Sequence, residues 1–498
     1  MKKLTFLLML VFFGISFSQE TRLQVTESIE FSDKLKSPLS EFHALHKIEN
    51  GRVGLIRSDA KKFYTYVFSK DLDNVEIEKI KKEKNEDYQG HFLFENEIRF
   101  ISVVSTSKKD RTVYCNTFNI LQNSFQKEKL FETSVENGGL FNGRNKRLTN
   151  VVISPNGKYF AVATDNIKKN INAYKIHVFE THTLKLVFEK SYNESDDNNY
   201  FHNDLFIDNH ATVYSLGKLT SGKFTKKDED SGNYTFTLSK LTKDDYLSTT
   251  LSLDDDNYVS SLILNIHDDV FNLTGFYSER KNGFIKGICN FNLDSNSLEL
   301  INNTQHEIPT QVYDDLFSKQ KAKKSDEKKS EFKNFYIDHV ITDEEGNLYI
   351  VAEKFFSTSR VINSGPGVMY TETILHFNDI LAFKVNVEGE LVWGRGIYKR
   401  SGMPTYNAFY KNNELHILML ASKDLSEKSN HRTNASQGLF KGNALYDFTI
   451  SADGEINYNK IRDNKNNTNY VPFNGTYGNG RFMMVNTGIF KRRFMILE

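Results

Sequence analysis

The run LTNVVISPNGKYFAVATDNIKKNINAYKIHVFETHTLKLVFEKSY occupies residues 148–192 and sets the pattern for the rest of the chain. It contains four short stretches rich in apolar and aromatic residues, separated by turn residues such as Pro155-Asn156-Gly157. Stretches of this kind predict β-strands joined by tight turns. We therefore expect four consecutive antiparallel strands. One such sheet cannot bury both of its faces alone, so it needs neighbouring copies.

Copies of this unit recur along the chain. Its second half, a strand, a short turn and another strand, is clearest at residues 379–398. The same half-unit recurs at residues 63–80, 112–130, 173–192, 234–253, 284–301 and 444–461. Glycines in the turns Glu388-Gly389 and Asp453-Gly454 supply the positive φ that tight hairpins need. Another hairpin precedes each pair, as at residues 337–352 with its turn at Glu345-Gly346, so the unit has four strands.

The four-stranded units resemble one another and repeat at intervals of about 45 to 80 residues. This repetition predicts an all-β fold, namely a β-propeller with four-stranded antiparallel blades. We count eight first strands and expect eight blades, with seven as the alternative. These strands begin near Phe42, Tyr88, Leu148, Tyr200, Tyr258, Tyr336, Tyr406 and Tyr470. The last unit lacks its fourth strand, and residues 22–31 alternate apolar with polar side chains. We expect this N-terminal strand to complete the last blade and close the ring, which removes two exposed edges.

The stretch from Asn378-Asp379-Ile380-Leu381 to Gly389-Glu390-Leu391-Val392-Trp393 resembles repeats of secreted bacterial β-propeller proteins. The turn Ser154-Pro155-Asn156-Gly157-Lys158-Tyr159 likewise resembles the second-strand turn of many propellers. The resemblance implies this architecture for most of the chain. It implies no chemistry and no site residues, because propellers host binding, scaffolding and several enzyme classes.

Residues 1–18 are typical of a secretory signal peptide, and residues 19–498 are predicted to form a single β-propeller domain. Lys2 and Lys3 precede an apolar core at residues 4–13, and small residues follow at 16–18. The core is too short for a comfortable membrane span, and no cysteine near the cleavage position offers a lipid anchor. We expect a secreted or periplasmic protein; the alternative is a retained N-terminal anchor.

The charge balance restricts the class of partner. Lys plus Arg and Asp plus Glu both number 64, so no basic excess exists to neutralise phosphates, and we expect no nucleic-acid partner. We expect no membrane span after residue 20 and a monomer. Cys115 and Cys289 occur in similar contexts that predict third strands of blades two and five. A disulfide requires Cα atoms no more than roughly 7 Å apart, and cysteines on blades two and five are farther apart than that. We therefore expect two buried free thiols.

Motifs for a cofactor or a metal fail on their spacing or context. Residues 217–224 resemble a phosphate loop but lack the Ser or Thr after the lysine and the following helix. Gly365-Pro366-Gly367 lacks the third glycine of a dinucleotide site. The acidic residues 228–233 break the spacing of a calcium loop. We therefore expect no cofactor and no metal, and we interpret the Lys-rich residues 318–333 as an exposed insertion, helical or disordered.

The strand directions of a propeller predict which end of the ring carries the long connections. Loops between second and third strands lie at the same end as the connections between blades, where the first strands begin. Four long segments share that end: residues 218–233, 304–334, 356–378 and 422–443. Long loops on a rigid scaffold are where binding usually takes place. We therefore expect a binding face there.

Aromatic and polar residues near the first strands are the candidates for a ligand site. Tyrosines near the starts of six first strands could stack on sugars or anchor a peptide, or could pack between blades: Tyr88, Tyr200, Tyr258, Tyr336, Tyr406 and Tyr470. Polar candidates at the same end are His202, Asp204, Asp338, His339, Arg360, His376 and Asp379. The leading function is binding or scaffolding of an unknown protein, peptide or glycan. The alternatives are a hydrolase or lyase acting on glycans or peptides at the same mouth, and a purely structural partner in an envelope assembly.

Overall fold

A computed structural model gives the structure of this chain. It describes residues 25–31, 41–69, 75–107, 110–134, 149–168, 171–192, 198–221, 234–253, 257–267, 270–281, 284–327, 330–363, 369–427, 432–436, 442–464, 469–478, 480–486 and 492–497. The predicted signal peptide lies outside the described residues.

The described strands form eight sheets, each built on four antiparallel strands. The N-terminal strand is β1 (Val25–Phe31). Blades one and two contain β2 (Glu41–Lys47), β3 (Val53–Ser58), β4 (Lys62–Phe68), β5 (Val75–Lys81), β6 (Glu86–Phe94), β7 (Glu97–Ser105), β8 (Asp110–Asn119) and β9 (Ser124–Ser134). Blades three and four contain β10 (Asn150–Ile153), β11 (Tyr159–Lys168), β12 (Ile171–Glu180), β13 (Leu186–Tyr192), β14 (Asn198–Ile207), β15 (Val213–Ser221), β16 (Thr235–Leu241) and β17 (Tyr246–Leu251).

The second half of the ring continues the pattern with two insertions. Blade five contains β18 (Tyr258–His267), β19 (Val270–Ser278), β20 (Gly287–Asp294) and β21 (Leu300–Glu307). Two helices follow, α1 (Thr310–Leu316) and α2 (Lys319–Glu327), and α2 lies within the Lys-rich residues 318–333. Blades six and seven contain β22 (Phe335–Thr342), β23 (Leu348–Asn363), β24 (Met369–Val385), β25 (Leu391–Ser401), β26 (Tyr406–Lys411), β27 (Glu414–Ser422), β28 (Ser426–Glu427), β29 (Thr433–Asn434), β30 (Asn443–Ile450) and β31 (Ile456–Asp463). Blade eight contains β32 (Thr476–Gly478), β33 (Arg481–Val485) and β34 (Arg492–Leu497).

Eight blades, rather than seven, form the ring, and the N-terminal strand closes it as predicted. β1 pairs antiparallel with β34 from Val25↔Leu497 to Phe31↔Arg492 and is the fourth strand of blade eight. The sequence-based start of that blade was wrong. Tyr470 forms only an isolated bridge with Asn486, and a 3₁₀ turn intervenes before the first strand, β32. Pro472 opens that turn, and its missing N–H and fixed φ favour such a break.

Local turn chemistry fixes the hairpins. Gly346, Gly389 and Gly454 all have φ between 85° and 88°, as the predicted tight turns require. Gly454 meets a second constraint, because an added Cβ would lie 2.9 Å from the Cγ of Trp393 in blade six. The turn at Gly346 is held by Asp343, whose Oδ1 accepts the N–H of Asn347 at 2.8 Å.

The hydrophobic core lies between the blades. A cluster that includes Phe63 and Phe118 joins blades one and two, and another that includes Leu55 and Met483 joins blade one to blade eight. Ring closure is therefore sealed by side-chain packing as well as by strand pairing. Cys115 and Cys289 are buried free thiols on third strands of blades two and five, as predicted. Burial raises the pKa of Cys115 to about 12, so this thiol is inert at neutral pH.

Candidate functional site

The two ends of the ring differ because strand direction decides which connections lie at each end. The first strands begin and the second strands finish at one end, which we call the loop end. The opposite end, with the tight turns that follow first and third strands, is the turn end. The connections that contain α1 and α2, the long tips of β23 and β24, and the connection that contains the β28–β29 pair all leave from the loop end of blades five to seven. From there α1 packs beside β25, where Asp315 bonds Gly396. Of the predicted long segment 218–233, only residues 218–221 are described, as the end of β15.

Strands β23 and β24 outgrow blade six. β22 pairs with β23 no further than Phe335↔Lys354, and β25 pairs with β24 no further than Ser401↔Phe377. Beyond these points residues 355–363 and 369–377 pair with one another, and we call them the blade six ribbon. The prediction of a loop at residues 356–378 was wrong, because hydroxyl and β-branched residues sustain an extended pair there. At a rise of about 3.3 Å per residue, the ribbon projects about 30 Å from the blade.

The strand pairing contains β-bulges where the ribbon leaves the blade. Between Glu353↔Ile380 and Phe355↔Phe377, Lys354 of β23 faces two residues of β24, so β24 carries the extra residue there. Between Asn378↔Arg400 and Ile380↔Ile397, Asp379 of β24 faces two residues of β25, so β25 carries the extra residue there. Bulges bend a strand and increase its twist, so they set the direction in which the ribbon leaves the blade.

Two ion pairs to β25 fix this root. The Nζ of Lys399 donates to the carboxylate of Glu353, and the Nη1 of Arg400 lies 2.5 Å from the Oδ1 of Asp379. Lys399 is 1% exposed and Glu353 is 5% exposed. Burial raises the pKa of Glu353 and lowers the pKa of Lys399, and each shift is opposed by the charge of the partner. The pair is therefore internal structure rather than a group available to a ligand.

Two hydrogen bonds to adjacent residues of the chain connect this pair to an exposed carboxylate. The Nζ of Lys399 also donates to the Oγ1 of Thr405 at 3.0 Å. The residue after Thr405 is Tyr406, and its hydroxyl donates to the Oδ2 of Asp338 at 2.7 Å. The ring of His339 lies 5.4 Å from that of Tyr406. Asp338 itself is exposed. The surrounding protein raises the pKa of this carboxyl, although the Tyr406 hydroxyl opposes the shift. An exposed acceptor held by a buried phenol suits a ligand that offers N–H or O–H donors.

The first strands of five blades carry a bulge near their start, and the extra residue of each is polar. These residues are His43, Gln89, Asn203, Ser260 and Asp338. Sequence reasoning missed the bulges. The available signal was a polar residue one or two positions after an aromatic one, which breaks the strict alternation of a regular strand.

The six candidate tyrosines do not share one environment. Tyr200, Tyr406 and Tyr470 are 2 to 3% exposed, whereas Tyr336 is 57% exposed. Tyr88 and Tyr258 are half-buried. Tyr336, beside the ring of Phe355 at the ribbon root, is therefore the one of the six whose ring offers a large free surface.

The polar candidates are also dispersed. The described hydrogen bonds join none of Asp204, Asp338, His339, His376 and Asp379 to another of the five. Asp204 accepts the N–H groups of Leu205 and Leu264 and so links blades four and five. His376 lies on the ribbon, 2.8 Å from the hydroxyl of Thr358. The side chains of His202 and Arg360 lie outside the described part of the structure.

A second polar cluster lies at the loop end between blades one and two, and sequence reasoning missed it. The Oγ of Ser58 lies 2.7 Å from the Nε2 of His43 and 3.1 Å from the Nζ of Lys82. Because the Lys82 ammonium can only donate, the Ser58 hydroxyl is free to donate to His43. The ring of Tyr88 stacks on His43 at 3.8 Å, and its hydroxyl lies 2.5 Å from the Nδ1 of His91. Burial, assisted by the nearby cations, lowers the pKa of His43 to about 3.

Within the described residues, no group of three or more His, Cys, Asp or Glu side chains is arranged to hold a metal ion. Among those same residues, no helix is long and apolar enough to cross a membrane.

The strand topology defines the class of the protein, an eight-bladed β-propeller. No protein-family model matches the chain, and no curated protein matches it. Among solved structures it is similar to a prolyl endopeptidase at 10% identity and a TM-score of 0.42, over 90% of this chain and 54% of that one. This chain thus spans about half the length of that enzyme.

For two further solved structures, the similarity extends over nearly the whole of the matched chain. The β-propeller domain of the Trilobed protease from Pyrococcus furiosus is 9% identical with a TM-score of 0.37, over 86% of this chain and 99% of that one. A polysaccharide lyase is 9% identical with a TM-score of 0.39, over 95% and 99% of the two chains. At these identities and TM-scores, the likenesses carry no inference about activity.

Proposed function

We propose that this chain is a secreted or periplasmic binding protein that holds a protein, peptide or glycan partner at the loop end, over blades five to seven. One observation carries the proposal: the connections that contain α1, α2 and the β28–β29 pair leave the same end of adjacent blades as the blade six ribbon. Elaborations of a rigid scaffold that converge on one region are typical of binding surfaces.

The groups exposed beside the ribbon root suit a partner with both apolar and hydrogen-bonding parts. Tyr336 and Met403 are 57% and 52% exposed, and both are large apolar side chains. Asp338 offers a carboxylate on the same strand, β22, two residues from Tyr336. An aromatic ring beside an acceptor can stack on a sugar or a peptide side chain while the acceptor orients it.

The test uses two probes, a glycan array and a phage-displayed random peptide library, on purified protein. Tyr336→Ala should weaken any binding about thirtyfold or more, the loss expected of an aromatic hot spot. Tyr458→Ala is the matched control, because Tyr458 is 44% exposed near the start of β31, towards the turn end. If neither probe binds, or if Tyr458→Ala weakens binding and Tyr336→Ala does not, the proposal is wrong.

The alternative of an enzyme at the same end has one observation in its favour, the Ser58 hydroxyl between His43 and Lys82. A serine that donates to a histidine is the arrangement of an activated nucleophile. A base whose pKa is lowered to about 3 nevertheless drives proton transfer poorly at neutral pH. Binding is therefore the better-supported function. Covalent labelling of Ser58 by a fluorophosphonate, abolished in Ser58→Ala, would reverse that order.

A further inference from the structure

The blade six ribbon has two open backbone edges. The N–H of Phe355 donates to the carbonyl of Asn334 at 2.8 Å, so it points away from β24. Alternate residues of a strand direct their backbone groups to the same side. With the continuous register from Phe355↔Phe377 to Asn363↔Met369, residues 357, 359, 361 and 363 direct theirs to one outer edge, and residues 369, 371, 373 and 375 to the other. Beyond Phe355, which bonds Asn334, and Phe377, which pairs with Ser401, no strand in the described part of the chain pairs with either edge.

The neighbouring edge of the same blade is covered by dedicated groups. The N–H of Gly396 in β25 donates to the Oδ2 of Asp315 in α1 at 2.9 Å. Two residues further, the carbonyl of Tyr398 accepts the N–H of Ala435 at 3.0 Å, where β29 joins β25 as a parallel strand. The fold thus already extends this blade by adding a short strand to an edge. The ribbon, about 30 Å long by its residue count, receives no such cover within the described residues.

The ribbon also lacks the residues that usually protect an edge. Proteins blunt exposed edges with lysine, proline or short strands. The outer strands β5 and β9 follow that rule with two lysines each. Residues 355–363 and 369–377 contain neither lysine nor proline, and their one arginine and one glutamate are paired in register, Arg360↔Glu372. An uncapped, nearly uncharged edge of this length is a template for another strand.

We propose that the blade six ribbon binds an extended peptide segment of a partner protein by adding it as a further β-strand. This inference rests on the proposed function and narrows its partner to a polypeptide. Backbone N–H and C=O groups repeating along an edge are complementary to another extended backbone, and a sugar does not repeat donors and acceptors at that spacing. The bulges and ion pairs at the root hold the edge in place before binding, which lowers the entropic cost of association.

Substitutions at Ser359 test the edge selectively. Its N–H points outwards, so Ser359→Pro removes an edge donor without removing a hydrogen bond of the β23–β24 ladder. Ser359→Lys adds an edge charge by a different mechanism, and Ser359→Ala is the control that keeps the N–H. The probe is a phage-displayed library of random peptides, selected on the wild-type protein. Selected peptides should bind Ser359→Ala as they bind wild type, and should lose about tenfold or more with Ser359→Pro and Ser359→Lys.

Three results would overturn the inference, and they leave the proposed function in different positions. Peptides that bind all variants equally place the contact elsewhere, and the proposed function survives if Tyr336→Ala weakens them. Binding of glycans alone leaves the proposed function standing and removes the peptide. A wild-type dimer in sedimentation that Ser359→Pro converts to a monomer makes the occupant of the edge a second copy of this chain.

Discussion

The buried pair of Glu353 and Lys399 should show strong coupling in a double-mutant cycle. Removing one partner leaves an uncompensated charge at a site where the two residues are 5% and 1% exposed. Such single changes typically cost about 3 to 5 kcal/mol, so we expect Glu353→Leu and Lys399→Met each to fall in that range. The double variant leaves neither charge of the pair and loses one hydrogen bond, that from Lys399 to Thr405, worth about 1 kcal/mol. It should therefore lie within about 2 kcal/mol of wild type, which implies a coupling of about 4 kcal/mol or more.

The single tryptophan of the chain makes this cycle measurable. Trp393 packs in the same cluster as Tyr406, between blades six and seven, so its fluorescence during urea unfolding reports the region of the pair. Free energies of unfolding for the four proteins give the coupling directly. If both single variants lost less than about 1 kcal/mol, or if the double variant lost the sum of the two, the pair would not behave as a desolvated ion pair and our account of the ribbon root would be wrong.

Three further predictions concern the ring and the second polar cluster. Deleting residues 19–32 removes β1, the partner of β34. The free energy of unfolding should fall by several kcal/mol, because the deletion exposes the edge of β34 and breaks about six hydrogen bonds worth about 1 kcal/mol each. An unchanged melting temperature would contradict this prediction. His43 should titrate near pH 3 by NMR. Because the unfolded chain takes up that proton near pH 6.5, this residue should lower the stability of the protein as the pH falls from 6.5 to 3. A midpoint near pH 6.5 in the folded protein would refute the burial of its ring. Non-reducing mass analysis should find Cys115 and Cys289 as free thiols, and a linked peptide pair would exclude their positions on blades two and five.

The repeating part of the fold could be predicted because its signals are local. Alternation of side chains and glycine turns, as at Gly389 and Gly454, lie within a few residues of the strands they define. Closure by β1 could be predicted by counting strands. One blade lacks a strand and the N-terminus has one to spare, and pairing the two removes two exposed edges. The prediction of where blade eight starts was wrong because β32 is three residues long, too short for its sequence to show a period.

The candidate site could not be predicted in the same way, because it depends on contacts between distant residues. Glu353 and Lys399 are 46 residues apart, and nothing near either of them indicates its partner. The ribbon was hidden for a different reason. The sequences of residues 355–363 and 369–377 lack the regular alternation of apolar and polar residues by which the other strands were recognised.

The geometry of blade six connects its least regular features to one another. The bulges opposite Lys354 and Asp379 lie at the height where the ribbon loses its neighbours β22 and β25. A two-stranded ribbon without further strands is marginal in water, so its direction must be set at its root. The charges at the root supply that constraint, since Glu353 and Asp379 are both tied to consecutive residues of β25. The same network reaches Asp338 through Thr405 and Tyr406, so a change that loosens the root should move the exposed carboxylate and the ribbon together.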